Sequence, residues 1–222
     1  MKLSWDQTGE RLYETGTKKG VLFVWDKTLA TPGYGKGVAW NGLTAVTESP
    51  EGAEETALWA DDDKYLSLRS KEEFGGTIEA YTYPEEFEAC DGSAEIATGV
   101  VIGQQSRAMF GFSYRTVLGN DTENEDYGYK LHIIYGATAS PSEKAYQTIN
   151  DSPEAITFSW EFTTVPVEVG EGYSKTSCIT IDSTKADTTK LAALEDILYG
   201  TTENDPRLPL PAEIITLMST TS

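Results

Sequence analysis

Apolar side chains recur at every second position in three long segments of this chain, and no other feature limits its fold so sharply. Over residues 107–118, Ala108, Phe110, Phe112 and Tyr114 fall on one face, while Arg107, Met109, Gly111, Ser113 and Arg115 fall on the other. Residues 127–137 alternate Tyr129, Leu131, Ile133 and Tyr135 against Lys130 and His132. Ile156, Phe158, Trp160 and Phe162 then alternate with Thr157, Ser159, Glu161 and Thr163. Successive Cβ atoms leave a strand on opposite sides, so a period of two marks a strand with one buried face. The polar run 119–126 between the first two segments predicts a hairpin. The third segment carries the most apolar face in the chain and must be core.

Weaker signals extend the pattern. Val21-Leu22-Phe23-Val24-Trp25 is a short apolar strand, and the glycines and proline of 31–37 forbid regular structure after it. Strand character returns over 36–47, over 65–69, and over 75–83 until Pro84 ends it. Residues 85–90 suit one helical turn, and 173–181 a further strand. Thr184-Lys185-Ala186-Asp187 resembles a capping box, and Leu191, Leu194 and Leu198 repeat at helical spacing up to Gly200. The expectation is a mainly β, two-sheet sandwich or barrel with one flanking C-terminal α-helix. It forms a single domain over 1–200, with an extended arm or loosely attached strand at 1–20 and the helix at 184–200. Pro206, Pro209 and Pro211 predict an extended tail over 201–222.

Charge excludes one class of function. Lys and Arg total 17 against 36 Asp and Glu, so 17 − 36 gives −19, which repels phosphate backbones. Cys90 and Cys178 match no metal or redox spacing and read as free thiols. The first residues carry no apolar leader, and no stretch reaches the roughly 20 apolar residues of a membrane span. The expectation is a soluble chain made in the cytoplasm, with no membrane partner.

Motifs for chemistry are missing. His132 is the only histidine and lies on the polar side of its strand, without a nucleophile motif beside it. No GxSxG, phosphate loop or zinc spacing occurs. Asp61-Asp62-Asp63 and 120–126 lack the ligand alternation and central glycine of a calcium loop. The sequence therefore predicts no enzyme, no cofactor and no metal. A carboxylate-based hydrolase would need one acid singled out, and none is. Trp59, in Ala57-Leu58-Trp59-Ala60 with acids on both sides, is the aromatic expected to touch another chain or a ligand. Trp25 and Trp40 are expected in the core.

Several words then occur in order: Ala60-Asp61-Asp62-Asp63-Lys64-Tyr65, Gly111-Phe112-Ser113-Tyr114-Arg115, the run from Tyr127 to Gly136, Ser140-Pro141-Ser142-Glu143, Tyr146 to Pro153, and Ile156 to Phe162. Together they span roughly 37–169, and in order and spacing they resemble the major tail (tail tube) protein family of long-tailed, non-contractile bacteriophages. The resemblance implies a β-sandwich or barrel that forms homo-hexameric rings. The rings stack into the virion's tail tube, assembled in the host cytoplasm alongside tape measure and tail terminator proteins. It also implies that DNA passes the lumen without specific binding, and an acidic wall would repel it. Self-assembly is then expected at the Gly-rich loop around Tyr34, the acidic loop bearing Leu58, Trp59, Asp61, Asp62 and Asp63, and the terminal arms. The alternative is a β-sandwich carbohydrate-binding or adhesin module, favoured by the aromatics and acidic loops and opposed by the missing leader.

Overall fold

The computed structural model describes residues 2–149 and 155–219. Its strands are β1 (Tyr13–Asp26), β2 (Gly33–Tyr34), β3 (Val38–Trp40), β4 (Leu43–Glu48), β5 (Glu51–Gly52), β6 (Glu55–Ala60), β7 (Asp63–Arg69), β8 (Glu72–Glu73) and β9 (Gly75–Ala80). There follow β10 (Ala94–Ala97), β11 (Val100–Ile102), β12 (Phe110–Asn120), β13 (Asn124–Ala139), β14 (Phe158–Thr164) and β15 (Cys178–Asp182). The helices are α1 (Glu88–Asp91), α2 (Thr188–Tyr199) and α3 (Pro211–Ser219). Part of the matched word from Tyr146 to Pro153, residues 150–153, lies outside the described residues, as do 220–222 of the expected tail.

One antiparallel sheet runs β2-β1-β12-β13-β14-β9-β4, with β3 added to β1 and β15 added to β13. The hairpin expected from the alternation is there: β12 pairs β13 with Tyr114 opposite His132 and Ser113 opposite Ile133. The two ends of the sheet are covalent neighbours, since β3 on one side leads into β4 on the other within three residues. A Cβ on Gly20 of β1 would lie 2.3 Å from Leu43 Cδ1 of β4, so these strands touch without laddering. The sheet is therefore curled into a nearly closed barrel.

Each long strand sends alternate residues to two different cores. Inside the barrel lie Leu22, Trp40, Ile78, Phe110, Phe112, Ile134, Trp160 and Phe162. Outside it, Val21, Phe23, Leu131, Ile133 and Tyr135 pack under Leu191, Leu194 and Leu198 of α2 and Ile214 of α3. The side chains of β13 change phase at Gly136. There Phe110 pairs with Ala137 while Phe112 pairs with Ile134, leaving one extra residue on β13. Gly136 has φ +63, and a Cβ there would meet the Val165 carbonyl oxygen at 2.2 Å, so only glycine fits this bulge.

Residues 13–20, expected as an arm or a loosely attached strand, belong to β1, whose polar half pairs with the end of β12. Three local expectations differ from the structure. The acidic loop around Trp59 is a hairpin, β6 with β7. The residue capping α2 is Asp187, which accepts from the Thr189 and Lys190 amides at 3.0 Å, while Thr184 closes a turn on Asp182. Finally, the tail is irregular only to residue 210. Pro211 opens α3, because a first-turn residue has no intrahelical use for an N–H.

Candidate assembly surface

The β6–β7 hairpin stands apart from both cores. Asp61 and Asp62 form its two-residue turn with φ of 52° and 65°, a conformation that short acidic side chains tolerate better than most. Two of the three clustered acids are thus explained by backbone geometry, and Asp63 pairs with Ala60 as the first residue of β7. A register shift beside Leu58 makes Tyr65 an extra residue in β7.

The hairpin has two chemically distinct faces. On one, Glu55 is bonded by Lys64 and by Ser67 Oγ, with Arg69 at 3.9 Å. On the other, Leu58 pairs with Leu66 beside Leu68, and all three are exposed. Trp59 is 68% exposed and Tyr65 74%. An isolated two-stranded hairpin is at best marginally stable in water, and these three leucines form an exposed apolar patch on one.

A second hairpin, β10 with β11, leaves Ile96, Val100, Val101 and Ile102 exposed. The sequence carried a signal for it in the β-branched run 100–102 between Gly99 and Gly103. The arm before β1 exposes Leu3 and Trp5, the latter at 75%. Asp121 accepts the Gly9 amide at 2.9 Å and the Asn120 side-chain amide donates to the Gly9 carbonyl, so the arm is held only at its base.

Tyr34 occupies a different environment from Leu58 and Trp59. Its ring sits edge-on to Trp25 at 5.1 Å and packs on the outer core, and its hydroxyl accepts the Gly136 amide at 2.8 Å. The Gly-rich loop therefore has its own reason to be ordered within the chain. Trp40 lies in the barrel core, as expected, and Trp25 is half-buried.

His132 is not on a solvated face. It stacks on Tyr114 with centroids 4.6 Å apart, and the Glu48 and Glu14 carboxylates lie 3.4 and 3.7 Å from its two ring nitrogens. The inner face is polar at this end of the barrel, where Glu48 also accepts from Tyr114 at 2.7 Å. The His132 hydrogen bond holds the Glu48 carboxyl below its ordinary value of 4.5, against burial, with Tyr114 helping. Burial acts to raise Glu14, but hydrogen bonds from Lys130 and Thr116 outweigh it and lower that carboxyl too. A carboxyl depressed in the folded state adds stability above the unfolded pKa and loses it as pH falls through the folded one. Thermal melts from pH 7 to pH 3 should show Glu48→Gln converging on the wild type at the acid end. A gap that stays constant with pH would mean that Glu48 does not titrate in this clasp.

Among the described residues no group of three or more acidic, histidine or cysteine side chains could hold a metal ion, and no helix is long and apolar enough to cross a membrane.

No family model matches this chain, and no curated protein does. Among solved structures it is similar to a chain of the anti-feeding prophage baseplate, at 8% identity and a TM-score of 0.38, over 82% of this chain and 99% of that one. It is also similar to a chain of the PVC sheath/tube terminator of an extracellular contractile injection system, at 8% identity and a TM-score of 0.34, over 81% and 99%. The functional reading therefore rests on the exposed surface and on the ordered words in the sequence.

Proposed function

We propose that this chain is a structural, self-assembling component of a phage-type tail, forming rings of six that stack into a tube around passing DNA, without catalysis. The observation that carries the proposal is the β6–β7 hairpin, whose leucine face lies outside both cores and is exposed in the described chain, where another copy would cover it. The barrel supports it by offering a rigid base for such a projection. When one patch meets a different patch on the next copy, a rotation that closes gives a ring. A net charge of −19 suits a lumen through which DNA slides rather than sticks.

The test is to image concentrated, tag-free protein by negative stain and to compare it with a Leu58→Ser, Trp59→Ser variant. Wild type should give rings or tubes, and the variant a folded monomer with an unchanged melting temperature. A wild type that stays monomeric would sink the proposal, as would a variant that assembles normally. A variant that unfolds would place these side chains in the fold instead.

A further inference from the structure

Beside α1 a groove of about 860 Å³ opens against the end of β1 and against β3. Val24, Val38, Ala39, Ala89 and Ala108 give it an apolar floor, and the three alanines leave room above the backbone. Its rim is acidic: Asp26 and Glu86 line it, and Glu85 is exposed next to Glu86. Lys36 also lines it, but that ammonium is paired with Asp205 at 2.6 Å. Hydrogen bonds from the Thr28 hydroxyl and amide hold the Asp26 carboxyl below its ordinary value of 3.8, so it stays charged. The backbone along the groove is already paired. The Val24 carbonyl accepts the Gly35 amide, and the Trp25 amide donates to the Met109 carbonyl, both at 2.8 Å.

We infer that this groove receives a basic amphipathic helix of a different protein, with its apolar stripe on the alanine floor and its lysines or arginines against Asp26 and Glu86. Because the strand groups beside the groove are satisfied, a partner gains nothing by adding a strand there and must bind through side chains. A helix suits that demand, since apolar residues at i and i+3 or i+4 form one stripe with charged residues on either side of it. A site of this volume matches pockets of roughly 300–1,000 Å³ that hold small ligands, so it takes a few anchors of one helical face rather than a whole domain. Charge decides what kind of partner comes. A chain of net charge −19 draws a cationic segment in over long range, whereas a second copy brings −19 against −19. The unneutralised carboxylates on the rim then fix the register of that segment. The inference goes beyond the assembly reading and does not depend on it: the hairpin face joins like copies, and this groove adds a partner of opposite charge.

Fluorescence anisotropy with the full-length protein tests it. The probe is a dye-labelled helical peptide with leucines along one face and lysines on the other, and a second peptide carries glutamates in place of the lysines. The lysine peptide should bind and the glutamate peptide should not. Ala39→Trp, which fills the groove, should weaken binding about tenfold, and so should Asp26→Lys combined with Glu86→Lys. Glu171→Lys combined with Glu203→Lys makes the same change in net charge on exposed acids elsewhere and should cost far less. Equal losses in the two charge-reversed proteins would reduce the effect to bulk attraction and overturn the inference. Full affinity in a folded Ala39→Trp protein would overturn it too, as would a wild type that binds neither peptide or both. If Ala39→Trp lowers the melting temperature, the comparison of the two charge-reversed proteins decides alone. Rings that form in the wild type and vanish in a folded Ala39→Trp protein would give the groove to a second copy, against the inference.

Discussion

Replacing Trp160 with alanine should lower the unfolding free energy by about 3–5 kcal/mol, the usual cost of emptying a large aromatic site in a packed core. Trp160 is almost wholly buried inside the barrel. Its ring lies 5.1 Å from Phe87, 5.4 Å from Tyr83 and 5.7 Å from both Trp40 and Phe158. Four aromatic neighbours on four different segments cannot all collapse into one void, so the cavity persists. In a domain of this size the loss corresponds to a fall in melting temperature of roughly 6–20 °C. The informative control is Trp59→Ala on the exposed hairpin, which should stay within about 0.5 kcal/mol of wild type. Urea melts with unchanged slopes would measure both. Similar losses at the two tryptophans would mean that the hairpin is part of the folded core and would remove the basis for an assembly surface.

The same contrast explains what the sequence could and could not reveal. Residues of β12 and β14 alternate because one face meets the barrel core, and those of β13 before Gly136 because one face meets the helical layer; there the pattern alone placed Phe110, Phe112, Trp160 and Phe162 correctly. Residues 65–69 of β7 read as a strand, but β6 reads as an acidic loop, because neither face of the hairpin is buried within the chain and its leucines have no periodic contrast to stand out against. Leu58 is separated from Leu66 and Leu68 by the acidic turn, and the pairing that brings them together is not visible in a linear scan. The surroundings of His132 were hidden for a related reason. Its partners Glu14 and Glu48 arrive from β1 and β4, more than eighty residues away in the chain, and only the curl of the sheet brings them to one end. The helix α3 was hidden by counting every proline as a breaker, although Pro211 stands where a proline suits a helix start. Leu58, Trp59 and the three aspartates were legible as a surface feature. The β10–β11 hairpin showed only in the β-branched run 100–102, since its partner strand 94–97 carries no pattern of its own.

The second large effect concerns how the helical layer is fixed to the barrel. Arg115 of β12 projects into that layer, where its guanidinium is ion-paired with Glu195 of α2, donates to the Tyr199 hydroxyl at 3.0 Å and lies 4.1 Å from the Tyr129 ring centroid. Tyr129 also donates to Glu195, and burial together with that acceptor pushes its phenol up to about 12. Glu195→Leu would leave a nearly buried cation without its counter-charge, and the expected loss is about 3–5 kcal/mol. Arg115→Met in the same chain should recover most of it, because a buried pair replaced by apolar groups of similar size costs far less than a pair half removed. The four proteins form a double-mutant cycle read by chemical denaturation, with the coupling expected to be large and favourable between the charges. If the double variant is as unstable as the sum of the singles, the pair does not act as a unit. The outer core of Leu191, Leu194 and Leu198 would then hold α2 on the barrel by burial alone.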